Sequence, residues 1–424
     1  MSDPNPFKNR EEWQDWIVDS NQVVRLKWLK HEDHIEGDDP SCSFHPPTMT
    51  HQIYGQNENI FGYANPTVDL LIAAGSQSVH VVSKFDSKIP SHCDLEADEL
   101  AEPVQSIFAP NQEIKDLSVF RQYIREEKSK FRPHPGGQEL LKWPSKTDPA
   151  HITFELHKYD GSVNGFQDFF RKLQPWMIFY IDAASFIDIS DARWRCFILY
   201  EKSKTPTGAI QYATAGFLTV YEYYNYPKHI RPRLSQILIF PPFQNQGLGT
   251  KLYLSVLKDY STREDVRDFT VEDPTLEFTK LRNVVDTQVC LKLPSFSKEA
   301  VLQGFSKKMV QEANDKYKLN KRQVRIVFEV AYLFHKTGGE ASEELEYSDF
   351  RILVKRRLYI PFKREEIQMK KLKKILSDEE YQNVSSASPS QVEKLQTVQT
   401  QYEEIKSEYT KIVNAISAKT DLIQ

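Results

Sequence analysis

A series of β-rich runs that ends in a glycine-bearing turn constrains the fold more than any other feature of the sequence. Each run is rich in Ile, Phe, Tyr and Val and is bounded by Asp, Ser, Thr, Gly or Pro, as successive strands of a sheet are. The runs are WMIFYIDAASFI (176–187), RCFILYEK (195–202), YATAGFLTVYEYY (212–224) and LSQILIF (234–240). The sequence therefore predicts a sheet whose strands follow one another along the chain.

The segment after the last run alternates between helix and strand patterns. In GLGTKLYLSVLKDY (247–260), the apolar residues Leu248, Leu252 and Val256 fall on one helical face. A short strand pattern, DFTVED, precedes a second helix pattern, PTLEFTKLRNVVDTQV, in which Pro274 takes the favoured first-turn position. Strand, helix, strand and helix at this spacing predict an α/β layer, so the fold class is α+β or α/β.

The length and composition of the chain limit the classes of protein to consider. With 424 residues, 40% hydrophobic and 12% aromatic, the chain is long enough for two or three packed domains. Charged residues interrupt the N-terminal region, and no run approaches the roughly 18 apolar residues of a membrane span. Cys42, Cys93, Cys196 and Cys290 are widely separated, which argues against a disulfide framework. We expect a soluble intracellular protein.

Changes of pattern along the chain predict successive segments. Residues 1–140 mix short strands with polar loops, residues 141–300 hold the sheet and its helices, and residues 301–384 are helical and basic. SSASPSQ (385–391) has the composition of a linker, and residues 392–424 form an amphipathic helix with a heptad seam. The seam residues are Leu395, Val398, Tyr402, Ile405, Tyr409, Ile412 and Ile416. The seam must be buried against this chain or another chain, and both alternatives stay open.

The formal charge of -4 hides an asymmetry between two parts of the chain. Residues 1–300 carry 33 Lys and Arg against 41 Asp and Glu, whereas residues 301–424 carry 22 against 18. An acidic body disfavours direct DNA binding, because phosphate neutralisation requires clustered cations, and it suits a basic partner. The basic clusters KRRLYIPFKR (355–364) and KKLKK (370–374) are typical of solvated helix faces, with nuclear import or a partner site as alternatives.

The turn QNQGLG (244–249) joins the last strand pattern to the first helix pattern. Gly247 and Gly249 remove side chains at a helix N-terminus, where unpaired N–H groups and the helix dipole attract an anion. An ordinary strand-to-helix turn uses glycines in the same way, so a plain turn and a phosphate cradle both stay open. The turn lacks the ending of a P-loop and the third glycine of a dinucleotide turn. Pro241 and Pro242 lack an N–H, so strand pairing must end there and the sheet can splay.

The pattern Q/R-x-x-G-x-G/A after an apolar strand is the acetyl-coenzyme A signature of the GNAT superfamily, and further motifs narrow the resemblance. They are HPPTMTHQIYGQNENIFGY, ASFIDISDARW, TVYEYYNYP, RPRLSQILIFPPFQNQGLG and VEDPTLEFTKLR. Across roughly residues 40–290 the sequence resembles the type B histone acetyltransferase catalytic subunits, the histone acetyltransferase 1 family. The resemblance implies a GNAT acetyltransferase fold with a mixed N-terminal domain on the histone-tail side and a helical C-terminal extension.

The same resemblance implies acetyl-coenzyme A as the acetyl donor and no metal. Ile237, Leu238 and Ile239 are implied to run along the pantetheine arm and the acetyl group through backbone hydrogen bonds. The residues implied around the pyrophosphate are Gln244, Asn245, Gln246, Gly247, Leu248, Gly249 and Thr250. A zinc-like set, His31, His34, Cys42 and His45, is dismissed because the gap between its two pairs is shorter than the roughly 12 residues of a finger.

A lysine amine, whose pKa in water is about 10.4, must lose a proton before it attacks a thioester. The resemblance assigns Glu272 as the general base, with Asp273 beside it and Asp182 as a further candidate. Some relatives carry Glu where this chain has the shorter Asp182, which leaves a direct role for Asp182 open. From the residues alone, Glu272 and Asp273 are also typical of an acidic helix N-terminus before Pro274. Direct transfer needs no nucleophile on the enzyme, and no cysteine lies in an acyl-cysteine motif.

The resemblance also implies the substrate side, with core packing as the alternative for each aromatic. The implied residues of the tail groove are Gln56, Asn57, Glu58, Trp194, Tyr221, Glu222 and Tyr223. The implied substrate is a lysine in the tail of newly made, free histone H-four, in a GxGKxG-like context. A WD-repeat histone-binding escort subunit and traffic between cytoplasm and nucleus are implied too, and roles in silencing and DNA repair follow by analogy. Two alternatives are a GNAT enzyme for another amine, such as a protein N-terminus or a polyamine, and a non-catalytic histone escort.

Overall fold

The computed structural model describes residues 14, 16–36, 42–90, 95–205, 208–377, 380–382, 384 and 389–418. The chain divides into two compact units. Unit 1 comprises Met1–Tyr223 and Arg233–Ser255, and unit 2 comprises Tyr224–Pro232 and Val256–Gln424. The five segments predicted from sequence stay a prediction, and most of the predicted linker, residues 385–388, lies outside the described residues.

Most of the strands belong to unit 1. In chain order they are β1 (Ile17–Asp19), β2 (Val24–Leu29), β3 (Asn59–Phe61), β4 (Tyr63–Ala64), β5 (Thr67–Ala73), β6 (Val79–Lys84), β7 (Ser87–Lys88), β8 (Gln138–Pro144), β9 (Ile152–Tyr159), β10 (Trp194–Lys204), β11 (Ile210–Asn225), β12 (His229–Ile239) and β13 (Thr270–Val271). The predicted strands at 195–202, 212–224 and 234–240 are confirmed as parts of β10, β11 and β12.

Helices occur in both units and are the main elements of unit 2. In chain order they are α1 (Ser20–Val23), α2 (His51–Tyr54), α3 (Glu102–Gln105), α4 (Leu117–Lys130), α5 (Phe166–Leu173), α6 (Leu248–Ser261), α7 (Leu276–Cys290), α8 (Lys298–Gln303), α9 (Lys307–Tyr317), α10 (Lys321–Thr337), α11 (Ser348–Leu358), α12 (Ile360–Leu372) and α13 (Gln391–Ala418). None of these described helices is both long and apolar enough to cross a membrane.

The largest sheet has the strand order β13-β12-β11-β10-β9-β8. Its β8, β9, β10 and β11 strands pair antiparallel in chain order. The neighbouring positions of β10, β11 and β12 agree with the predicted order of the strands, whereas the sequence analysis did not predict β8 and β9. The register of β10 against β11 shifts between Leu199 and Tyr200, which leaves Ala215 without a partner in that register. A Cβ on the next residue, Gly216, would lie 2.4 Å from the carbonyl oxygen of Leu238, so β11 and β12 approach closely only because this residue is glycine.

A smaller sheet of unit 1 is covered by α4. Its strand order is β2-β5-β6, with β2 parallel and β6 antiparallel to β5. Leu29, Leu71 and Ala73 of this sheet pack with Phe120 and Ile124 of α4 in one buried cluster. β6 is one of the short strands found within residues 1–140.

The prediction of a strand over residues 176–187 is wrong. The segment Gln174–Phe179 is a 3₁₀ helix, with Pro175 in its first turn. Trp176, Met177 and Phe179 are fully buried and Ile178 is 8% exposed. A segment that is buried on every side has no polar face, so its composition alone did not distinguish a strand from a helical turn.

Two boundaries near residue 274 also differ from the sequence prediction. The DFTVED pattern is confirmed as a strand only at β13, Thr270–Val271. The hydroxyl of Thr275 accepts the N–H of Phe278 at 3.2 Å and caps α7, so Pro274 precedes the cap and does not lie in the first turn. Threonine is a favoured N-cap residue, which explains why the helix begins after it.

The C-terminal helix α13 buries its seam against helices of its own unit. Val398, Tyr402, Tyr409, Ile412 and Ile416 are buried, whereas Leu395 is 54% exposed. α13 packs mainly against α7, α10 and α11. The question left open by the sequence is therefore answered for most of the seam, although Ile405 is half-buried and Leu395 is exposed.

Candidate functional site

Two prolines and two left-handed residues build the turn between β12 and α6. The segment Pro241–Phe243 forms a short 3₁₀ turn, and the N–H of the preceding Phe240 donates to the Ala215 carbonyl at 2.9 Å. Asn245 and Gly247, with φ of 61° and 75°, then reverse the chain into α6. The prediction that strand pairing ends at the prolines is confirmed.

The N-terminus of α6 holds backbone donors that no described residue uses. The N–H of Lys251 donates to the Gly247 carbonyl at 3.2 Å, whereas the N–H groups of Leu248, Gly249 and Thr250 have no acceptor in the described part of the chain. A Cβ on Gly247 would have no neighbouring atom within 4 Å, so the space beside the turn is open. Free donors, open space and the positive end of a helix dipole fit a pyrophosphate.

The last three residues of β12 lead directly into this turn. Leu238 is buried in the core, and Ile237 and Ile239 are half-buried on the opposite face of the strand. The carbonyl of Ile239 accepts the side-chain Nε2 of Gln244 at 2.9 Å, which ties the turn to the strand. The remaining residues predicted at the pyrophosphate, Asn245 and Gln246, lie in the turn itself.

Glu58 and Asp182, far apart in sequence, meet at a residue that the sequence analysis missed. His51, at the start of α2, places its Nε2 3.1 Å from the Asp182 carboxylate and its Nδ1 3.7 Å from the Glu58 carboxylate. The side chain of Gln52 donates to the Ala184 carbonyl at 2.9 Å, which fixes α2 beside the same loop. His51 lies within the quoted HPPTMTHQIYGQNENIFGY motif, so its position in that motif was the available signal.

The carboxylate of Glu58 is used mainly by its own loop. It accepts the N–H groups of Thr50 at 2.6 Å and His51 at 3.0 Å, and the side chain of Asn21 at 2.9 Å. These donors, with Thr50 first, lower the pKa of Glu58 below its usual value. Gln56 and Asn57, predicted beside Glu58 in the tail groove, are exposed.

The predicted tail aromatics form a row along β10 and β11. The ring centroids of Trp194 and Tyr221 are 4.9 Å apart and those of Tyr221 and Tyr223 are 4.6 Å apart, both edge to face. The guanidinium of Arg193 lies over Tyr221 and that of Arg233 over Tyr223, each 4.9 Å from the ring centroid. Tyr223 is 40% exposed, so the row has an open end.

Asp191 anchors this aromatic row. It accepts the Arg193 side chain at 3.0 and 2.7 Å and the hydroxyl of Tyr221 at 2.9 Å. The hydrogen bond from Arg193 is the main cause that holds the pKa of Asp191 well below its usual range. Glu222 lies on the other face of β11, buried, with its carboxylate 3.0 Å from the Arg195 guanidinium. The structure therefore separates Glu222 from Tyr221 and Tyr223.

One hydrogen-bonded link joins the Asp182 loop to β12. The side chain of Gln236 donates to the Ser185 carbonyl at 3.0 Å, and the hydroxyl of Thr219 donates to Gln236 at 3.2 Å. Ile237 follows Gln236, and Thr219 lies on β11 two residues before Tyr221. Unit 1 thus brings the predicted pantetheine strand, Asp182 and the tail aromatics to neighbouring segments.

The predicted general base belongs to unit 2. Glu272 and Asp273 follow β13 directly and are both exposed, and Asp273 has a left-handed φ of 26°.

Burial raises the pKa of the Cys196 and Cys290 thiols well above the usual range. Such protonated, buried thiols agree with a transfer that does not pass through a cysteine.

Residues of the zinc-like set are engaged elsewhere. The thiol of Cys42 donates to the Trp28 carbonyl at 3.1 Å, and the His45 ring lies edge-on to Trp28.

Within the described ranges, one group of metal-type side chains has ligand atoms within 4.8 Å of one another: Glu139, Glu155 and His157. Lysine side chains already lie 2.8 and 3.1 Å from the Glu155 carboxylate, so its charge is matched by the protein.

Two family models match separate parts of the sequence. The model described as histone acetyl transferase HAT1 N-terminus matches residues 16–182. The model described as histone acetyltransferase type B catalytic subunit, C-terminal, matches residues 282–332.

Curated relatives match nearly the whole chain. The histone acetyltransferase type B catalytic subunit of Mus musculus is 34% identical over 404 residues, which cover 95% of this chain and 95% of the relative. That of Homo sapiens is 32% identical and covers 95% and 94%. A solved aminoglycoside acetyltransferase from a soil metagenomic sample covers 30% of this chain and 82% of its own, with 16% identity and a TM-score of 0.22.

These matches confirm the predicted enzyme class, and the structure confirms the mixed α/β class with a helical C-terminal extension. Membership of an acetyltransferase family implies acetyl-coenzyme A as the acetyl donor and histones as substrates. The chain belongs to the family of histone acetyltransferase type B catalytic subunits.

Proposed function

We propose that the chain transfers acetyl from acetyl-coenzyme A to a lysine in the tail of newly made, free histone H-four, in a GxGKxG-like context. The observation that carries the proposal is family membership across 95% of the chain. The open turn at the N-terminus of α6, with its free backbone donors, supports the binding of the donor's pyrophosphate.

The roles in the reaction follow from the chemistry of each group. The N–H groups of Leu248, Gly249 and Thr250 hold the pyrophosphate, and the backbone of residues 237–239 pairs with the pantetheine amides. Glu272 accepts the proton of the lysine amine. The neutral amine nitrogen then attacks the thioester carbon, the C–N bond forms and the C–S bond breaks. The second proton lost by the nitrogen passes to the departing sulfur, so coenzyme A leaves as the thiol. Asp273 and Asp182 are the further carboxylate candidates, and His51 orients Asp182.

The proposal that the acetyl acceptor is a histone lysine is supported by the aromatic row and by the charge of the chain. Trp194, Tyr221 and Tyr223 offer a wall for the aliphatic stem of a lysine. The acidic balance of residues 1–300 suits a basic tail and disfavours direct DNA binding. A WD-repeat histone-binding escort subunit, traffic between cytoplasm and nucleus, and roles in chromatin assembly, silencing and DNA repair complete the proposal, on the family resemblance alone.

The test compares wild type with Glu272→Gln in transfer of labelled acetyl from acetyl-coenzyme A to free histones and to a polyamine. We expect the variant to lose on the order of 10²–10⁴-fold in rate, the usual contribution of a general base. Glu277→Gln, another exposed carboxylate nearby in sequence, is the matched control and should retain activity. Equal rates for wild type and Glu272→Gln would remove Glu272 as the base. No transfer by the wild type would favour an escort, and transfer to polyamine alone would favour another acceptor.

A further inference from the structure

A groove of about 790 Å³ lies in unit 2 between α11, α12 and α13, outside the segments proposed for acetyl transfer. Its floor is aliphatic, and three of the floor residues are unusually open: Ile352 is 47% exposed, Ile360 46% and Leu395 54%. Val398, the fourth, is buried. Single exposed aliphatic residues are common, but several that share one concave surface indicate a binding site.

The rim of the groove is basic. The four cations that line it are Arg351, Lys355, Arg356 and Lys363, and no carboxylate lines it. Arg351 lies 3.7 Å from the Glu346 carboxylate, and Lys355 donates to a neutral amide. Arg356 and Lys363 form no ion pair with any residue that the structure describes. The rim therefore carries positive charge that the described protein leaves largely unmatched.

The rim and floor residues of α11 and α12 form one helical stripe. Tyr359 is the residue between the two helices, and its φ and ψ of -78° and -12° continue the helical path. Ile352, Arg356, Tyr359 and Lys363 are therefore spaced by four, three and four residues, which places them on one face. The stripe is about 17 Å long at 1.5 Å per residue, and α13 contributes Leu395 and Val398 to the lining of the groove.

We propose that this groove binds an acidic, amphipathic helix of a partner protein. Aliphatic side chains of the partner, spaced by three and four residues, fill the floor, and its carboxylates face the four cations of the rim. The length of the stripe matches about 12 residues of helix. A groove between helices suits a helical occupant, whereas an extended peptide would need a strand edge to pair with, and α11, α12 and α13 provide none.

The same features disfavour two other anionic occupants. Single-stranded nucleic acid is held by stacking on aromatic rings, and the lining contains the single aromatic residue Tyr359. A membrane surface takes a projecting apolar face, whereas these aliphatic residues lie in a concavity beside the cations of α11 and α12. The mixed floor and rim match an amphipathic protein segment better than either.

The experiment measures binding of a labelled synthetic peptide of about 14 residues to the full chain by fluorescence anisotropy. The peptide carries Leu on one helical face and Glu on the other, and a second peptide carries Lys in place of Glu. We expect saturable binding of the first peptide only. Arg356→Glu combined with Lys363→Glu should weaken it by roughly tenfold or more, and Ile352→Ser should weaken it at unchanged charge. Higher salt should weaken it too.

A matched control makes the same charge change elsewhere in unit 2. Lys321→Glu with Arg322→Glu alters two exposed cations at the start of α10 and should leave peptide binding unchanged. Circular dichroism and histone acetylation should be equal in all variants, which separates this proposal from the proposed function. No saturable binding, equal weakening by both double variants, or tighter binding of single-stranded DNA or anionic vesicles than of the peptide would overturn the proposal.

Discussion

The turn before α6 and the ion-pair cluster around Glu329 use polar groups in opposite ways. In the turn, the N–H groups of Leu248, Gly249 and Thr250 have no acceptor among the described residues. In α10, Glu329 is fully buried and its carboxylate lies 3.1 Å from Arg325, 2.7 Å from Arg357 and 3.4 Å from the Tyr409 hydroxyl. The first region leaves hydrogen-bonding capacity for a ligand, and the second uses it within the fold.

The Glu329 cluster therefore stabilises the fold, whereas the turn before α6 is available to a ligand. A buried, fully paired carboxylate stabilises helix packing and gives nothing to a substrate. Open donors at a helix N-terminus contribute little to packing and much to the binding of an anion. Mutations in the two regions should therefore act on different measurements.

The largest effect on stability is expected at Glu329. Glu329→Ala leaves the Arg357 guanidinium, which is partly buried, without its carboxylate, and breaking a buried pair in this way costs about 3–5 kcal/mol. Urea unfolding should show this loss, while the dissociation constant of acetyl-coenzyme A in native buffer stays within about twofold. Glu340→Ala, an exposed carboxylate just after α10, should change stability by less than about 0.5 kcal/mol. Equal loss in both variants would show that the cluster is not stabilising.

A smaller and more local effect is expected at Gly247. Gly247→Ala places a Cβ at a φ of 75°, which costs about 1–2 kcal/mol, and directs it into the open space beside the free N–H groups. We expect the KM for acetyl-coenzyme A to rise roughly tenfold. Gly208→Ala is the matched control, because Gly208 also lies in unit 1, has a φ of 79° and has equally open surroundings. Both variants should melt at similar temperatures, and an equal rise in KM would refute a special role for the α6 turn.

Local periodicity accounts for what the sequence predicted well. β10, β11 and β12 are β-rich and bounded by turn residues, and α6 has apolar residues on one face, so each element is determined mainly by its own residues. The strand predicted over residues 176–187 was wrong in its first part because Trp176, Met177 and Phe179 are buried on every side and carry no such periodicity. Local pattern therefore predicts elements with one exposed face better than elements enclosed by the core.

The sequence pattern did not predict contacts between distant segments. Nothing in the spacing of His51 and Asp182 indicates that their side chains meet, and the seam of α13 showed that a partner was needed without showing which helices supply it. The roles of Glu272 and Asp273 came from the resemblance, because an acidic pair before a helix has the same sequence pattern whether or not it accepts a proton. Those roles stay predictions.

The substitution with the smallest expected effect is at Glu58, which could be a group that binds substrate or a group that is used within the fold. It was predicted in the tail groove, yet its carboxylate accepts the N–H groups of Thr50 and His51 as a helix cap would. Glu58→Gln should lower the Tm by about 2–4 °C at neutral pH, the size expected for a lost cap, with little change in the KM for histone.

The pH dependence of the Tm difference between wild type and Glu58→Gln gives a sharper measurement. The pKa of Glu58 is lowered from 4.5 in the folded protein, so the charged carboxylate contributes its full stability above that value. The contribution is lost as the pH falls through the lower folded pKa. The Tm difference between wild type and Glu58→Gln should therefore narrow as the pH falls below about 4.5. A difference that persists to pH 3, or a large rise in KM without a Tm difference, would place Glu58 with the substrate and not with the fold.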